Sequence, residues 1–79
     1  MPTSVRLPNL GAETAEALVS AWLKTVGDTV TEGEVIAELE TEKATVELEA
    51  PVAGRLVEIL VPAGQETTVG AVVAVIADD

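Results

Sequence analysis

The sequence predicts an all-β domain, a flattened β-barrel or sandwich of two four-stranded antiparallel sheets with pseudo-two-fold symmetry. Its 79 residues include thirteen valines and nine threonines but a single aromatic residue, which favours strands over helices. Apolar and polar residues alternate with a period of two in several segments, and glycine and proline turn signals separate these segments. A chain of this length forms one small domain, residues 1–79, without room for a large catalytic cleft.

An internal repeat predicts how the strands are arranged. A shift of 37 residues superposes glycines and apolar positions of the two halves, pairing Leu23 with Leu60, Gly27 with Gly64, Gly33 with Gly70, Val35–Ala37 with Val72–Ala74, and Leu39 with Ile76. Two copies of one four-strand unit, each too small to bury its own face, are expected to close on each other. The same shift relates Lys43 to the two chain ends, so we expect Lys43 and the termini at opposite ends of the domain.

The first predicted strand is Thr3–Leu7, which ends before Pro8 and is expected at a sheet edge with Val5 and Leu7 pointing inward. Residues 12–17 are rich in alanine and glutamate. A short helix there is the less favoured alternative, because helices of this length are marginal on their own.

The second predicted strand is Leu18–Leu23, with Val19, Ala21 and Leu23 on one face. Trp22 lies on the other face and is interpreted as a packing residue at the barrel edge, since no second aromatic residue accompanies it. The remaining predicted strands are Thr29–Val30, Val35–Glu40, Ala44–Glu49, Arg55–Val61, Thr67–Val69 and Val72–Ile76.

Two of these strands form a hairpin with a mirror-symmetric sequence. Around a centre between Glu42 and Lys43, the reflected pairs are Leu39 with Val46, Ala37 with Leu48, and Glu38 with Glu47. The alternation predicts that the apolar members of these pairs face the core and the glutamates face water. Glu42-Lys43 is therefore the predicted tip, and Lys43 is expected at its exposed apex.

Composition excludes several functional classes. Four basic residues against fourteen acidic ones give a net charge of −10, so nucleic acid and anionic membrane surfaces are poor partners. The acidic surplus instead favours solubility and, as a hypothesis, approach to basic sites on larger proteins. Without cysteine or histidine there are no disulfides, thiol nucleophiles, usual zinc ligand sets or histidine-based catalytic pairs. Any reactive group must therefore be imported.

The sequence also shows no apolar run long enough to span a bilayer and no pattern of a signal peptide. We therefore expect the protein to stay where it is made, which is the cytoplasm in a bacterium. The mitochondrial matrix is the alternative if the sequence is a processed fragment.

Several motifs together resemble a known family. The segment Glu40–Pro51, followed by Gly54, Gly64 and Gly70, resembles the lipoyl domains of 2-oxo acid dehydrogenase acyltransferase components, and so do Leu7–Gly11 and Val26–Val30. One departure follows Gly11, where Ala12-Glu13 replaces the family's acidic residue and second glycine. Decarboxylase partners are thought to distinguish such domains through this loop, so the departure bears on the partner and not on the fold.

The resemblance implies that Lys43 Nζ carries lipoic acid in amide linkage, with Glu42 and Ala44 as flanking recognition residues and with no catalytic or metal-binding residue. Acyl groups would pass from a thiamine-diphosphate-dependent 2-oxo acid decarboxylase to the acyltransferase core. A dihydrolipoamide dehydrogenase would then reoxidise the carrier, and a lipoate ligase or lipoyl transferase would attach it. The domain itself would be a non-catalytic, monomeric unit, the N-terminal domain of a longer acyltransferase.

Two other functions remain open at the sequence level. A biotin carrier domain of a carboxylase would share the fold, but that family flanks its lysine with methionines and the only methionine here is Met1. An unmodified interaction module would use Lys43 only as a solubilising charge. Lys24, the other lysine, is expected to be an ordinary solvated residue, and Glu40 is interpreted as part of the hairpin's wet face.

Overall fold

The computed structural model describes residues 2–9 and 15–78, and within them it confirms the prediction of eight short strands in two antiparallel sheets. The strands are β1 (Pro2–Arg6), β2 (Glu16–Trp22), β3 (Thr29–Val30), β4 (Val35–Glu40), β5 (Thr45–Glu49), β6 (Gly54–Ile59), β7 (Glu66–Thr68) and β8 (Val72–Ala77). In the described part of the chain, no helix is long and apolar enough to cross a membrane.

The strand order of the two sheets follows the internal repeat. The first sheet has the order β1-β8-β6-β3 and the second the order β5-β4-β2-β7. A shift by one repeat relates β2 to β6, β3 to β7 and β4 to β8, so one order maps onto the other. Each sheet therefore combines two strands from the first half of the chain with two from the second, and the edge position predicted for β1 is confirmed.

Backbone hydrogen bonds between the two halves of the chain occur in symmetric pairs. The Gly27 amide donates to the Leu56 carbonyl oxygen at 2.7 Å, and the Gly64 amide, one repeat later, donates to the Val19 carbonyl oxygen at the same distance. Gly27 and Gly64 have φ values of 102° and 92°, which side chains other than glycine rarely tolerate. The repeated glycines thus allow the turns that join each repeat to its partner.

The core lies between the sheets and consists of small and branched side chains. Its buried members are Val5, Leu7, Ala17, Val19, Val30, Ile36, Ala37, Leu39, Leu48, Ala50, Leu56, Val73, Ala74 and Ile76. Trp22 packs against the margin of this cluster, and its indole Nε1 donates to the Val61 carbonyl oxygen at 2.9 Å. The packing role expected for Trp22 is therefore confirmed.

One face assignment in β2 is wrong. Leu23, predicted on the same face as Val19 and Ala21, is 51% exposed and lies beyond the end of the strand, whereas Val19 is fully buried. The register of β2 against β4 shifts between Val19 and Ala21, and such a bulge reverses the alternation that follows it. Trp22, rather than Leu23, consequently packs against the core.

Residues 15–17, the described part of the alternative helix at residues 12–17, are not helical. Glu16 and Ala17 belong to β2, and Ala15 precedes it without helical structure. The other positions of that alternative, 12–14, lie outside the described residues.

The chain ends and the β4–β5 connection occupy equivalent positions on different sheets. Pro2 of β1 pairs with Ala77 of β8, and the Thr3 hydroxyl donates to Asp78 Oδ2 at 2.7 Å. The β4–β5 connection occupies the corresponding place on the second sheet. This is the two-fold relation that the sequence repeat predicts.

Candidate functional site

The β4–β5 hairpin has the register predicted from its mirror symmetry. Leu39 pairs with Val46, Ala37 with Leu48, Glu38 with Glu47, and Glu40 with Thr45. The side chains of Ala37, Leu39 and Leu48 are buried, while Val46 is half-buried against the core. The apolar face of the hairpin therefore holds it against the domain, and residues 41–44 form the connection.

The connection turns without glycine and without any residue at positive φ. Two-residue hairpin loops of types I′ and II′ require positive φ at one or both central positions, whereas four-residue loops such as this one are most often built around a type I turn, which does not. Here the Thr41 hydroxyl accepts hydrogen bonds from the Lys43 amide at 3.3 Å and the Ala44 amide at 3.2 Å. The Ala44 carbonyl oxygen accepts from the Thr41 amide at 2.9 Å and from the Thr41 hydroxyl at 3.0 Å. One side chain thus bonds to three backbone groups of the tip.

Lys43 presents a free amine at this tip. Its side chain is exposed, as are Glu42 and Ala44 on either side, and within residues 2–9 and 15–78 its Nζ forms no hydrogen bond or ion pair. The exposed apex predicted for Lys43 is what the structure shows. An amine that is both accessible and unpaired can serve as a nucleophile toward an activated acyl group.

Lys24, by contrast, is engaged. Its Nζ lies 2.8 Å from Glu34 Oε2 and donates to the Thr29 carbonyl oxygen at 3.4 Å, so this surface residue forms an ion pair that the sequence did not indicate. The hydrogen bond with Glu34 raises the pKa of Lys24 above 10.5. The same bond, followed by one from the Thr31 amide, lowers the pKa of Glu34 below 4.5. Of the two lysines, only Lys43 offers an uncommitted amine.

A groove of about 540 Å³ lies beside the tip, between the hairpin connection and the start of β2. Its lining includes Lys43 and four carboxylates, those of Glu16, Glu40, Glu42 and Glu66. The electrostatic potential in the groove is therefore negative, and the one positive charge of its lining belongs to Lys43. Within the described part of the chain, no group of acidic residues is arranged to hold a metal ion.

Sequence reasoning identified Lys43 and its neighbours but missed Thr41. The usable signal was a threonine placed just before the two central residues of a tight turn, where its hydroxyl can bond to nearby backbone amides. The contribution of Glu16 and Glu66 to the groove could not be seen locally. These residues reach the tip only because β2 pairs with both β4 and β7.

Comparisons with known proteins agree with this geometry. A family model described as biotin-requiring enzyme, of the biotin/lipoyl type, matches residues 3–76. The acetyltransferase component of the pyruvate dehydrogenase complex of Corynebacterium glutamicum is 45% identical over 76 residues, covering 96% of this chain and 11% of that protein. The succinyltransferase component of the 2-oxoglutarate dehydrogenase complex of Bartonella vinsonii is 42% identical, covering 96% of this chain and 18% of that protein. The chain thus spans less than a fifth of either relative.

Solved structures share the fold. The lipoyl domain of the 2-oxoglutarate dehydrogenase complex from Azotobacter vinelandii superposes with a TM-score of 0.76 at 25% identity, covering 95% of each chain. A single-chain, multi-domain long-chain acyl-CoA carboxylase superposes with a TM-score of 0.73 at 23% identity, covering 99% of this chain and 7% of that one. The second match shows likeness of fold alone.

Proposed function

This chain belongs to the biotin/lipoyl family, as a lipoyl domain of the acyltransferase type, and we propose that its lipoyl group is joined by an amide to Nζ of Lys43. The observation that carries the assignment is the free, exposed amine of Lys43 at the tip of a hairpin whose register is fixed. Lys24, the other lysine, is paired with Glu34. The amine that fits the cofactor is therefore that of Lys43.

The attachment chemistry needs only a nucleophile from this chain. The neutral Lys43 amine attacks the carbonyl carbon of an activated lipoyl donor, such as an acyl adenylate. A C–N bond forms, the bond from that carbon to the leaving group breaks with its electron pair, and the amine releases a proton to solvent. One positive charge disappears, so the net charge changes from −10 to −11.

The domain acts by position rather than by catalysis. When attached, the lipoyl group would supply a disulfide that accepts an acyl group together with two electrons and hands them on. The hairpin holds the attachment point away from the core, and tethering keeps the carrier at a high effective concentration near each enzyme that uses it. Rigid strands below the tip keep its pose recognisable.

Lipoate is proposed rather than biotin because of the residues beside Lys43. Glu42 and Ala44 occupy the positions where biotin carriers have methionines, and the relatives named above are acyltransferase components of 2-oxo acid dehydrogenase complexes. The proposed partners are a thiamine-diphosphate-dependent decarboxylase, an acyltransferase core within a longer chain, dihydrolipoamide dehydrogenase and a lipoate-attaching enzyme. Because both acetyltransferase and succinyltransferase relatives match, reductive acylation by a panel of purified decarboxylases would identify the acyl group.

The assignment is tested by intact mass after incubation with lipoate ligase or with biotin ligase. We expect one lipoyl increment on the wild-type chain, none on Lys43→Arg and a full increment on Lys24→Arg. Both variants keep the positive charge, so the comparison isolates the amine. A biotinyl increment on Lys43 would instead make the domain a biotin carrier, and no increment with either ligase would leave an unmodified interaction module.

A further inference from the structure

We propose that Thr41 is the positioning residue for lipoylation: its hydroxyl holds the Glu42-Lys43 tip in the one turn that the attaching enzyme accepts. This inference rests on the proposed function, because it concerns the same lysine. It assigns to Thr41 a role that no pattern of charge or alternation in the sequence indicates.

Apart from the backbone bond between the Thr41 amide and the Ala44 carbonyl oxygen, the hydrogen bonds described for the tip all involve this one hydroxyl. Beyond the pair formed by Glu40 and Thr45, the amides of Lys43 and Ala44 have the Thr41 oxygen as their acceptor, at 3.3 and 3.2 Å. The same hydroxyl donates to the Ala44 carbonyl oxygen at 3.0 Å. Three contacts from one side chain therefore bridge the two sides of the turn.

The Lys43 side chain cannot orient itself. It forms no hydrogen bond or ion pair with the described residues, so the direction in which it leaves the tip is set by its backbone alone. Thr41 is half-buried, whereas Glu42, Lys43, Ala44 and Thr45 are all exposed. The only packed side chain of the connection is thus the one that restrains the backbone beneath the lysine.

Two other turns of the same half show why a hydroxyl is used here. At residues 25–28 and 31–34 a threonine amide donates to the carboxylate three residues later, that of Asp28 or Glu34, at 2.9 Å in each case. The fourth residue of the tip is Ala44, whose side chain has no acceptor. A carboxylate at this position would lie beside the Lys43 amine and could pair with it, as Glu34 pairs with Lys24. The Thr41 hydroxyl orders the turn without adding that charge.

Lipoylation should therefore depend on how much of the time the tip holds this turn. If only a fraction of molecules is competent to bind, the apparent affinity of the attaching enzyme falls by that fraction. Loss of the hydroxyl should then raise KM for the domain and largely preserve kcat. A general loss of stability would not do this at temperatures well below Tm, since nearly all molecules remain folded.

The experiment compares Thr41→Val, which removes the hydroxyl at nearly constant shape, with Thr41→Ser, which keeps it. Thr41→Ala provides a second hydroxyl-free variant if valine does not fit. Thr45→Val is the matched control, because Thr45 is exposed on the same hairpin and its side chain makes no hydrogen bond with the described residues. The readouts are KM and kcat of lipoylation and amide hydrogen exchange at Lys43 and Ala44.

We expect kcat/KM to fall roughly tenfold in Thr41→Val, equivalent to a change of about 1.4 kcal/mol, mainly through KM. Exchange should accelerate at the Lys43 and Ala44 amides and stay unchanged at Leu39. Thr41→Ser and Thr45→Val should behave like the wild type. Unchanged kcat/KM in both hydroxyl-free variants, or failure of Thr41→Ser to match the wild type, would overturn the inference while leaving lipoylation of Lys43 intact. A wild-type chain that takes no lipoyl group would overturn the proposed function, and this inference with it.

Discussion

At the scale of single residues, the two lysines have different surroundings, because Lys24 is paired at a turn whereas the Lys43 amine has no partner among the described residues. Glu34 accepts from Lys24 and from the Thr31 amide, and Asp28 accepts from the Thr25 amide and hydroxyl. These contacts lower the pKa of Glu34 and of Asp28 below their ordinary values. The acidic turns are therefore held by ionised carboxylates, whereas the tip is held by a neutral hydroxyl.

The lowered pKa of Glu34 predicts a specific acid sensitivity. Because the folded chain binds the proton less tightly than the unfolded chain, the stabilisation is complete above about pH 4.5 and is lost as the pH falls through the lower folded-state pKa. We expect Glu34→Gln to reduce Tm at pH 7 but to show a smaller further decrease between pH 5 and pH 3 than the wild type.

The control for this measurement is Glu32→Gln, an exposed neighbour that forms no ion pair within the described ranges. Between pH 5 and pH 3, the Tm of Glu32→Gln should decrease by as much as the Tm of the wild type. The difference between variants is the relevant quantity, because protonation of other carboxylates also relieves repulsion in a chain of net charge −10. Parallel pH profiles for wild type and Glu34→Gln would contradict the prediction.

Sequence reasoning was strong at Lys43 and weak at two other positions, for physical reasons. The alternation of apolar and polar residues indicates which face of a strand is buried, and its mirror symmetry correctly placed Lys43 at the tip between two strands. A prediction from alternation assumes a regular strand, so the register shift between Val19 and Ala21 made the prediction for Leu23 wrong. Alternation carries no information on hydrogen bonds from side chain to backbone, and Thr41 was missed for that reason.

At the scale of secondary-structure elements, the repeat predicted the two-fold relation of two four-stranded sheets but neither their strand order nor the close approach of β6 to β8. Gly54 reads in the sequence as the last residue of a turn, yet it is the first residue of β6. A Cβ at this position would collide with the carbonyl oxygen of Ala77 and lie 2.9 Å from Ile76 Cγ2. The collision involves backbone from the opposite end of the chain, which local sequence signals cannot show.

We therefore predict that Gly54→Ala destabilises the domain by about 3 kcal/mol, because a neighbouring backbone cannot yield as a flexible side chain can. Gly64→Ala is the comparison, since nothing lies within 4 Å of its added Cβ. There only the positive φ is penalised, at about 1–2 kcal/mol. Urea unfolding of both variants measures the difference. A Gly54→Ala variant no less stable than Gly64→Ala would show that β6 and β8 can separate at low cost.

At the scale of the whole molecule, the exchange of β3 and β7 between the sheets joins the two repeats into one cooperative unit. Neither half of the chain contains a complete sheet, since each sheet includes two strands from each half. The chain ends and the β4–β5 connection are nevertheless equivalent positions, because Pro2 pairs with Ala77 as Glu40 pairs with Thr45. We therefore expect the domain to fold with its chain ends at either place.

A circular permutant tests this equivalence. Joining the chain ends by a short linker and opening the chain between Glu42 and Lys43 should give the same fold, since exposed loop tips tolerate such cuts. We expect Tm to fall by roughly 4–8 °C, corresponding to a loss of about 1 kcal/mol in a domain of this size. Circular dichroism and thermal unfolding provide the measurement. A permutant opened between Ile36 and Ala37, both fully buried, should not fold, and equal behaviour of the two permutants would contradict the prediction.

Tension applied through the two ends of this domain would pull β1 and β8 apart in the direction in which their pairing resists force least. Their outermost residues, Pro2 and Ala77, are antiparallel neighbours, and the Thr3–Asp78 hydrogen bond lies beside them. The ladder bonds run perpendicular to the strands, so a force that separates these ends loads one residue pair at a time instead of the whole ladder in shear. The domain should therefore unzip at low force from its ends inward, with β1 peeling away from the sheet edge before the Lys43 hairpin bears any load.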